Sequence, residues 1–475
     1  MWRGSSQLSR SGHTRATNSA CSLPRLRGRV REGAVALALV LIAAAAASAQ
    51  DDARVKQLTA AYRASGQELF ARFSQSPGNI AFSPYSIGAA MAMALAGARG
   101  DTEAEMLRVL KHPLARPEID AANGALMKLL NGYDHSAAPP ECLGGMRWTG
   151  KTCESRPAAD GSCPGFAKRK GNVCAAEPFA HAPSAKLALA NALMLVREER
   201  LAPDYIAVVR DKYAGEVFAH ASLADINTWV GRKTEGKIPQ ILDHLDPKTV
   251  AVLLNAVYFK AHWQQKFPKE LTKDAPFNLT ASQRANVPTM HTLAHFALAA
   301  RAGYRAILLP YDVPALGMIV VVPDAIDGLA EIERRLDGAE FSALSTALAA
   351  PENRTYADLA LPRFKITFAA DVKAAFEQAG LHEPFGDHAD FSGMTGRPAA
   401  ERPMKIDFIL HRAVIDVTEE GTEAAAATAV GIAPASLPPP PVPFPVDRPF
   451  LFYLVDNASG AVLFAGRIMD PREGK

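Results

Sequence analysis

Residues 410–428 read L-H-R-A-V-I-D-V-T-E-E-G-T-E-A-A-A-A-T. Val414-Ile415-Asp416-Val417 alternates and is rich in β-branched residues, which predicts a strand. Glu419-Glu420-Gly421 is a turn signal. Thr422, Glu423, Ala424, Ala425, Ala426, Ala427 and Thr428 follow, a run of small residues broken by one acid. Two readings stand. Alanine is the best helix former, so the run suits a surface helix. A second reading is a mobile segment able to join a sheet. Alternate side chains of an added strand enter a packed core, where excess volume costs about 1–3 kcal/mol per site. Thr422, Ala424, Ala426 and Thr428 are small enough to enter. Beyond them lie Pro434, Pro438–Pro441, Pro443 and Pro445, which cannot donate ladder hydrogen bonds. An exposed strip, G-I-A-P-A-S at 431–436, is left between the insertable and the rigid parts.

Working outward, helical periodicity covers 53–74, and N-I-A-F-S at 79–83 is a short strand before a helix at 84–97. Thr102-Glu103-Ala104-Glu105 has the form of a capping box opening a helix to about 111. A further helix covers 118–131. From 133 to 183 the apolar period vanishes and Pro, Gly, Cys and small polar residues dominate, so this stretch reads as an insertion outside the core. Strands are expected at 187–196 and 249–260, and mostly β structure from 275 to 323 and 357 to 367. Helices are expected at 203–213 and 224–234, two more within 327–348, and one at 369–379. Helices first and mixed strands later make the class α+β.

The chain has 475 residues, 48% hydrophobic and 21% charged, which excludes a largely disordered chain and a collagen. Its length suggests two or three domains. The formal charge of +3 sits in the first 49 residues, which hold seven Arg and one acid, Glu32. The remainder has 52 bases less those seven against 49 acids less Glu32, a balance of −3, so a basic field and nucleic-acid binding are set aside. The same 49 residues combine an Arg-rich stretch, an apolar run from Ala34 to Ala47 and a small-x-small site, Ala47-Ser48-Ala49. They read as a signal peptide of an exported protein, periplasmic or extracellular, with no stable membrane anchor after cleavage. Cys21 leaves with it. Cys142, Cys153, Cys163 and Cys174 remain, in two copies of C-x-G-x5-G-x2-C. An even, clustered set in an exported chain favours disulfides, and the repeat predicts Cys142–Cys153 and Cys163–Cys174. Zinc is the alternative, but its usual C-x2-4-C spacing is absent. Trp148, Phe166 and Lys168-Arg169-Lys170 are expected to be exposed there. Nucleophile-elbow, zinc-protease and nucleotide-loop motifs are missing, and Pro and Gly break His382–His388 into a polar turn rather than a metal site.

From 79 onward the sequence resembles the serpin family. N-I-A-F-S-P-Y-S-I (79–87) is similar to the family's shutter segment, and I-N-T-W-V-G-R-K-T-E-G-K-I-P (226–239) to the helix that crosses its main sheet. L-N-A-V-Y-F-K-A-H-W (254–263) is similar to the strand ending in the breach tryptophan. D-F-S-G-M-T-G (390–396), residues 410–428, R-P-F-L-F-Y-L-V-D (448–456) and L-F-A-G-R-I-M-D-P (463–471) complete the resemblance, which covers 53–132 and 184–472.

The resemblance implies one domain over 50–475 interrupted at 133–183, with three β-sheets, eight to nine helices and an exposed reactive-centre loop. It makes 419–445 the hinge and loop, with hinge residues Glu419, Gly421, Thr422, Glu423, Ala424, Ala425, Ala426, Ala427 and Thr428. Ser83, Ser86, Asn255 and His411 match the shutter cluster, and Trp263 the breach. Family loops run 17 residues from the hinge Glu to the attacked carbonyl, and the seventeenth from Glu419 is Ala435, so the reactive bond is Ala435–Ser436. The implied function is irreversible, suicide-substrate inhibition of serine proteases by acyl-enzyme trapping and loop insertion. Ala435 suits a shallow apolar pocket, elastase-like or subtilisin-like. The implied protein is a monomeric, exported, bacterial-type member with an inhibitory hinge, not an enzyme, using no cofactor or metal. The competing reading is a non-inhibitory serpin acting as a binding or structural protein. Such relatives carry bulky, charged or proline residues in the hinge, and this hinge carries Gly421, Thr422 and four Ala.

Overall fold

The computed structural model describes residues 29–135, 142–165, 167–176, 184–196, 200–245, 249–401, 403–422 and 440–472. The chain divides into two units, residues 1–50 and 51–475. Ten α-helices occur among the described residues: α1 (Arg29–Phe73), α2 (Pro84–Gly97), α3 (Gly100–Val109), α4 (Arg116–Asn131), α5 (Pro203–Tyr213), α6 (Leu223–Lys233), α7 (Leu329–Arg335), α8 (Gly338–Ala349), α9 (Lys373–Gln378) and α10 (Ser392–Thr395). Of α1, the turns from residue 51 belong to the second unit. No described helix is long and apolar enough to cross a membrane.

The strands are β1 (Ile80–Phe82), β2 (Arg147–Trp148), β3 (Cys153–Ser155), β4 (Lys168–Lys170), β5 (Val173–Ala176), β6 (Ala185–Leu195), β7 (Glu216–Ala219), β8 (Ala251–His262), β9 (Lys273–Asn278) and β10 (Arg284–Arg301). They continue as β11 (Tyr304–Pro310), β12 (Leu316–Pro323), β13 (Arg354–Pro362), β14 (Phe364–Asp371), β15 (Ile406–Thr418), β16 (Gly421–Thr422), β17 (Val442–Pro445), β18 (Phe450–Asp456) and β19 (Ala461–Ile468). They form three sheets. A nine-stranded sheet follows β1-β19-β18-β12-β11-β10-β13-β17, with β9 added to β10. A six-stranded sheet runs β14-β15-β16-β8-β6-β7, and a four-stranded sheet runs β2-β3-β5-β4.

Helix α2 shows why the core forms here. Its sequence, P-Y-S-I-G-A-A-M-A-M-A-L-A-G, is apolar or small all round, and every residue is buried. It touches both large sheets. Ser83 caps its start by accepting the Ser86 N–H at 3.0 Å. Beside it, β1 lies so close to β19 that a Cβ on Gly466 would stand 2.1 Å from the Ile80 carbonyl oxygen. Only glycine permits that approach.

Two local expectations are corrected. The capping box at Thr102 does not form: α3 starts at Gly100 without a side-chain cap. Thr102 is instead buried, and its hydroxyl accepts the Asp390 N–H at 2.9 Å. A long-range partner has taken the group that local sequence assigned to the cap. The helix expected at 369–379 begins only at Lys373, because β14 runs on to Asp371 in register with β15.

The insertion builds the whole four-stranded sheet. Each Cys repeat is a hairpin with its own disulfide, Cys142–Cys153 and Cys163–Cys174, with Cα separations of 5.6 and 5.5 Å. The hairpins join through β3 and β5, where Cys153 faces Ala176 and Ser155 faces Cys174, so the duplication has a local two-fold relation. Lys168–Lys170 is exposed, as its composition predicts. Trp148 is not: it is half-buried against Met146 and the disulfides, in an apolar cluster formed among the described residues of this module. Phe166 lies outside the described residues.

The ends of the insertion meet. The Ala185 N–H donates to the Tyr133 carbonyl at 2.9 Å, and the His135 N–H to Ser184 Oγ at 2.9 Å. Replacing 136–183 with two glycines is therefore expected to shift the unfolding midpoint by no more than about 2 °C, the effect of roughly 1 kcal/mol in a large domain. A collapse of cooperative unfolding, measured by calorimetry, would show that the insertion belongs to the core.

Candidate functional site

The six-stranded sheet holds the site. Strands β8 and β15 pair in parallel from Ala251 with Ile406 to Tyr258 with Val414. Beyond Tyr258 they part. Into the space comes β16, which pairs antiparallel with both neighbours: Gly421 with Thr418 and His262, Thr422 with Val417 and Ala261. The turn at Glu419-Glu420 lets the chain double back beside its own strand.

Gly421 has φ +153°, and a Cβ there would stand 2.1 Å from the Ala261 carbonyl oxygen. Thr422 is fully buried, and its hydroxyl shares a 2.7 Å hydrogen bond with the Tyr311 phenol. Burial pushes the Tyr311 hydroxyl pKa up, so it stays protonated. The Tyr311 ring stacks on Trp263 with centroids 4.5 Å apart. Trp263 in turn donates its indole N–H to the Thr418 carbonyl at 2.9 Å and its backbone N–H to the Glu420 carbonyl at 3.0 Å.

The turn carboxylates are held as well. Glu420 lies 3.1 Å from Lys266 Nζ and 3.0 Å from Lys269 Nζ. Burial raises its pKa, but the two ammonium groups outweigh that and hold the carboxyl below its usual range. Glu419 accepts the Thr272 hydroxyl at 2.8 Å and lies 3.6 Å from Arg363 Nε. An open polar cleft of about 510 Å³ is lined by Lys269, Thr272, Arg363, Thr418, Glu419 and Glu420.

Where β8 and β15 are still joined, a row of polar side chains crosses the sheet. His411 on β15 faces Asn255 on β8, and Asn255 faces Asn191 on β6. All three are buried, together with Ser83 and Ser86 at the start of α2. The Ser83 N–H donates to His411 Nε2 at 3.3 Å, so Nδ1 carries the ring proton and donates it to Asn255 Oδ1. The Asn255 amide reaches the Ser86 carbonyl at 2.9 Å, Ser86 Oγ at 2.5 Å and Asn191 Oδ1 at 2.6 Å. The imidazole is neutral: complete burial pushes its pKa down to about 3. One network thus ties three strands and a helix at the place where the sheet would have to open for a longer strand.

The family model described as Serpin (serine protease inhibitor) matches residues 60–471. The chain belongs to the serpin family. Its curated relatives include the leukocyte elastase inhibitors of Sus scrofa, 33% identical, and Homo sapiens, 32% identical. Each alignment covers 88% of this chain and 100% of the relative. Among solved structures, human thyroxine-binding globulin superposes with a TM-score of 0.70 at 23% identity, over 88% of this chain and 100% of that one. The thermophilic serpin tengpin in its native state gives 0.67 at 24%, over 87% and 94%. These likenesses establish the serpin fold.

Ser83, Ser86, Asn255 and His411 come together as one cluster, and Trp263 meets the hinge through Thr418 and Glu420. Glu419, Gly421 and Thr422 lie at the mouth of the sheet. Glu423, Ala424, Ala425, Ala426, Ala427, Thr428, Ala435 and Ser436 lie outside the described residues. Sequence reasoning missed Asn191, Lys266, Lys269, Thr272, Tyr311 and Arg363. Asn191 carried a signal, as an amide inside the apolar strand L-A-L-A-N-A-L-M-L-V. The others are ordinary surface or strand-end residues until the fold brings them to Glu419, Glu420 and Thr422.

The His411 pKa has a sign that can be tested. It lies below the 6.5 of a free imidazole, so the unfolded chain binds the proton more readily. The stabilisation is complete above pH 6.5 and is lost as pH falls toward 3. Between about pH 7 and about pH 4.5, wild type is expected to lose about 2 kcal/mol more stability than His411→Gln in urea unfolding. Equal losses would show that His411 is not the titrating group.

Proposed function

We propose that this serpin is an irreversible, suicide-substrate inhibitor of serine proteases with a shallow apolar primary pocket, elastase-like or subtilisin-like. The observation that carries the reading is the hinge. Gly421 and Thr422 pair with strands on both sides, and the residues that would follow them inward are small. A charged or proline-bearing hinge would bury an unpaired charge or break the ladder at this mouth.

The reactive bond is Ala435–Ser436. The protease's serine oxygen attacks the Ala435 carbonyl, the C–N bond to Ser436 breaks, and the Ser436 amine leaves with a proton. The acyl ester stays on Ala435. Freed at one end, the segment from Thr422 continues between β8 and β15 and carries the protease with it. For each length of parallel β8–β15 ladder opened, two antiparallel ladders form, which supplies the driving force. The row from His411 to Asn191 is the shutter that must be passed, and Trp263 belongs to the breach. Names of the curated relatives support an elastase-like target.

The leader and the two stapled hairpins support an exported protein, periplasmic or extracellular.

Mixing with pancreatic elastase is expected to give a band at the summed mass that survives SDS, with a released peptide starting at Ser436. Trypsin is expected to be inhibited little, and Ala435→Arg to shift preference toward it. Cleavage without a stable complex would favour the non-inhibitory reading, and a peptide starting elsewhere would move the reactive bond. In Ala424→Arg, insertion buries an unpaired charge at a cost of several kcal/mol, roughly. That variant is expected to be cleaved rather than to trap, and trapping at wild-type stoichiometry would refute the hinge assignment.

A further inference from the structure

The stapled insertion differs in charge from the rest of the chain. From Cys142 to Ala176 stand Arg147, Lys151, Arg156, Lys168, Arg169 and Lys170 against two acids, Glu154 and Asp160, a balance of +4. The chain beyond residue 49 balances at −3, so its remainder outside this stretch carries −7. Glu141 and Glu177 flank the stretch and lie outside the described residues. Neither acid within it neutralises a base. Glu154 accepts the Thr152 hydroxyl at 2.9 Å, and Asp160 accepts the N–H and the hydroxyl of Ser162 at 2.9 and 2.6 Å. Arg169 donates to the carbonyls of Gly161 and Gly171. Arg147, Lys151, Arg156, Lys168 and Lys170 are exposed and make no ion pair among the described residues. Across the small sheet Lys168 faces Ala175, Ala175 faces Glu154, and Glu154 faces Arg147. Directly opposed side chains share a face, as do residues two apart on a strand, so Arg147, Lys168 and Lys170 stand on one face. They occupy its two edges, three strand spacings or about 14 Å apart. Trp148, Cys153 and Cys174 belong to the opposite face.

We propose that the insertion is a docking module for an anionic lipid surface, bound through Arg147, Lys168 and Lys170, with Lys151 and Arg156 adding to its field. A protein partner calls for an aromatic or arginine anchor at the centre of the contact. The centre of this face holds Ala175 and Glu154, and no large apolar side chain is exposed among the module's described residues. A linear polyanion calls for cations along a groove or stripe, whereas these stand at opposite edges of a flat sheet. A planar, densely charged surface meets both edges at once. Edge charges also discourage stray strand pairing, but either sign would serve there, and Lys151 and Arg156 are not on a strand. The acidic remainder of the chain is repelled by the same surface, which turns the module toward it. The root of the insertion decides what comes with it. Ala185, where the chain rejoins the six-stranded sheet, faces Ala261 on one side of β8, and Thr422 faces Ala261 on the other. The insertion therefore leaves the sheet two strand spacings, about 10 Å, from the mouth that receives the hinge. On the inhibitor reading, docking tethers the reactive loop to the surface; the docking itself does not depend on that reading.

The test uses the chain from Gln50 onward, the form expected after leader cleavage, because an Arg-rich, apolar leader would itself bind anionic lipid. Vesicles of equal parts phosphatidylglycerol and phosphatidylcholine are expected to sediment the protein at about 0.05 M salt and to release it at about 0.5 M. Vesicles of phosphatidylcholine alone are expected to leave it in solution. One basic side chain near such a surface strengthens binding about fivefold. Lys168→Gln with Lys170→Gln is therefore expected to weaken binding about ten- to thirtyfold, and Arg147→Gln, at the other edge, about fivefold. Arginine at 168 and 170 is expected to restore it. Arg334→Gln with Arg335→Gln, exposed on α7, removes the same charge from the body and is expected to change binding less than about twofold. Replacing 136–183 with two glycines is expected to abolish it. No binding to the anionic vesicles, equal weakening by the α7 pair, or undiminished binding without the insertion would each overturn the proposal. Retention on immobilised heparin with no vesicle binding would also overturn it, in favour of a polymer site. Binding is read without a protease, so its failure and a failure to trap elastase are separate results.

Discussion

Strands β8 and β15 pair in parallel for part of their length and then separate, and the arrangement around them follows from that parting. A strand end inside a sheet cannot leave its amide and carbonyl groups bare without a cost of about 1–3 kcal/mol for each. Here the groups at Val417–Thr418 and at Ala261–His262 are met by Gly421 and Thr422, folded back through the Glu419-Glu420 turn. The hinge is therefore both the end of one strand and the beginning of another. Its glycine and its small hydroxyl are demanded by the gap they fill.

The same parting gives the sheet a direction in which it can change. Its closed half is held by one parallel ladder and by the His411–Asn255–Asn191 row, backed by the capped start of α2. An antiparallel strand placed in that half would replace one ladder with two. The polar row opposes the exchange, because opening it would expose or strand buried amides and an imidazole that low dielectric keeps neutral.

The remainder of the molecule supports this without sharing in it. The nine-stranded sheet and α2 supply the packed apolar mass against which the six-stranded sheet is held. The insertion has its own sheet, its own small cluster and its own cross-links. A module of that size cannot bury enough apolar surface to hold itself, so the disulfides close its loops.

By itself the sequence determined much of this. Alternation along 414–417 and the Glu419-Glu420-Gly421 signal after it identify a strand and a turn. The apolar, small-residue stretch 84–97 marks a buried helix, and the cysteine repeat marks two stapled hairpins. These are local signals, set by backbone preference, side-chain volume and short loop closure. The tertiary structure decided the rest. Thr102 looks like a cap and is a buried partner of Asp390, from far along the chain. Lys266, Lys269, Tyr311 and Arg363 acquire their roles only when their separate segments close around residues 419–422. That the hinge is already seated was likewise invisible, since the alanine run suits a helix as well as a strand. What decides between them is whether two neighbouring strands stand far enough apart to admit a third, and that distance is a property of the assembled sheet.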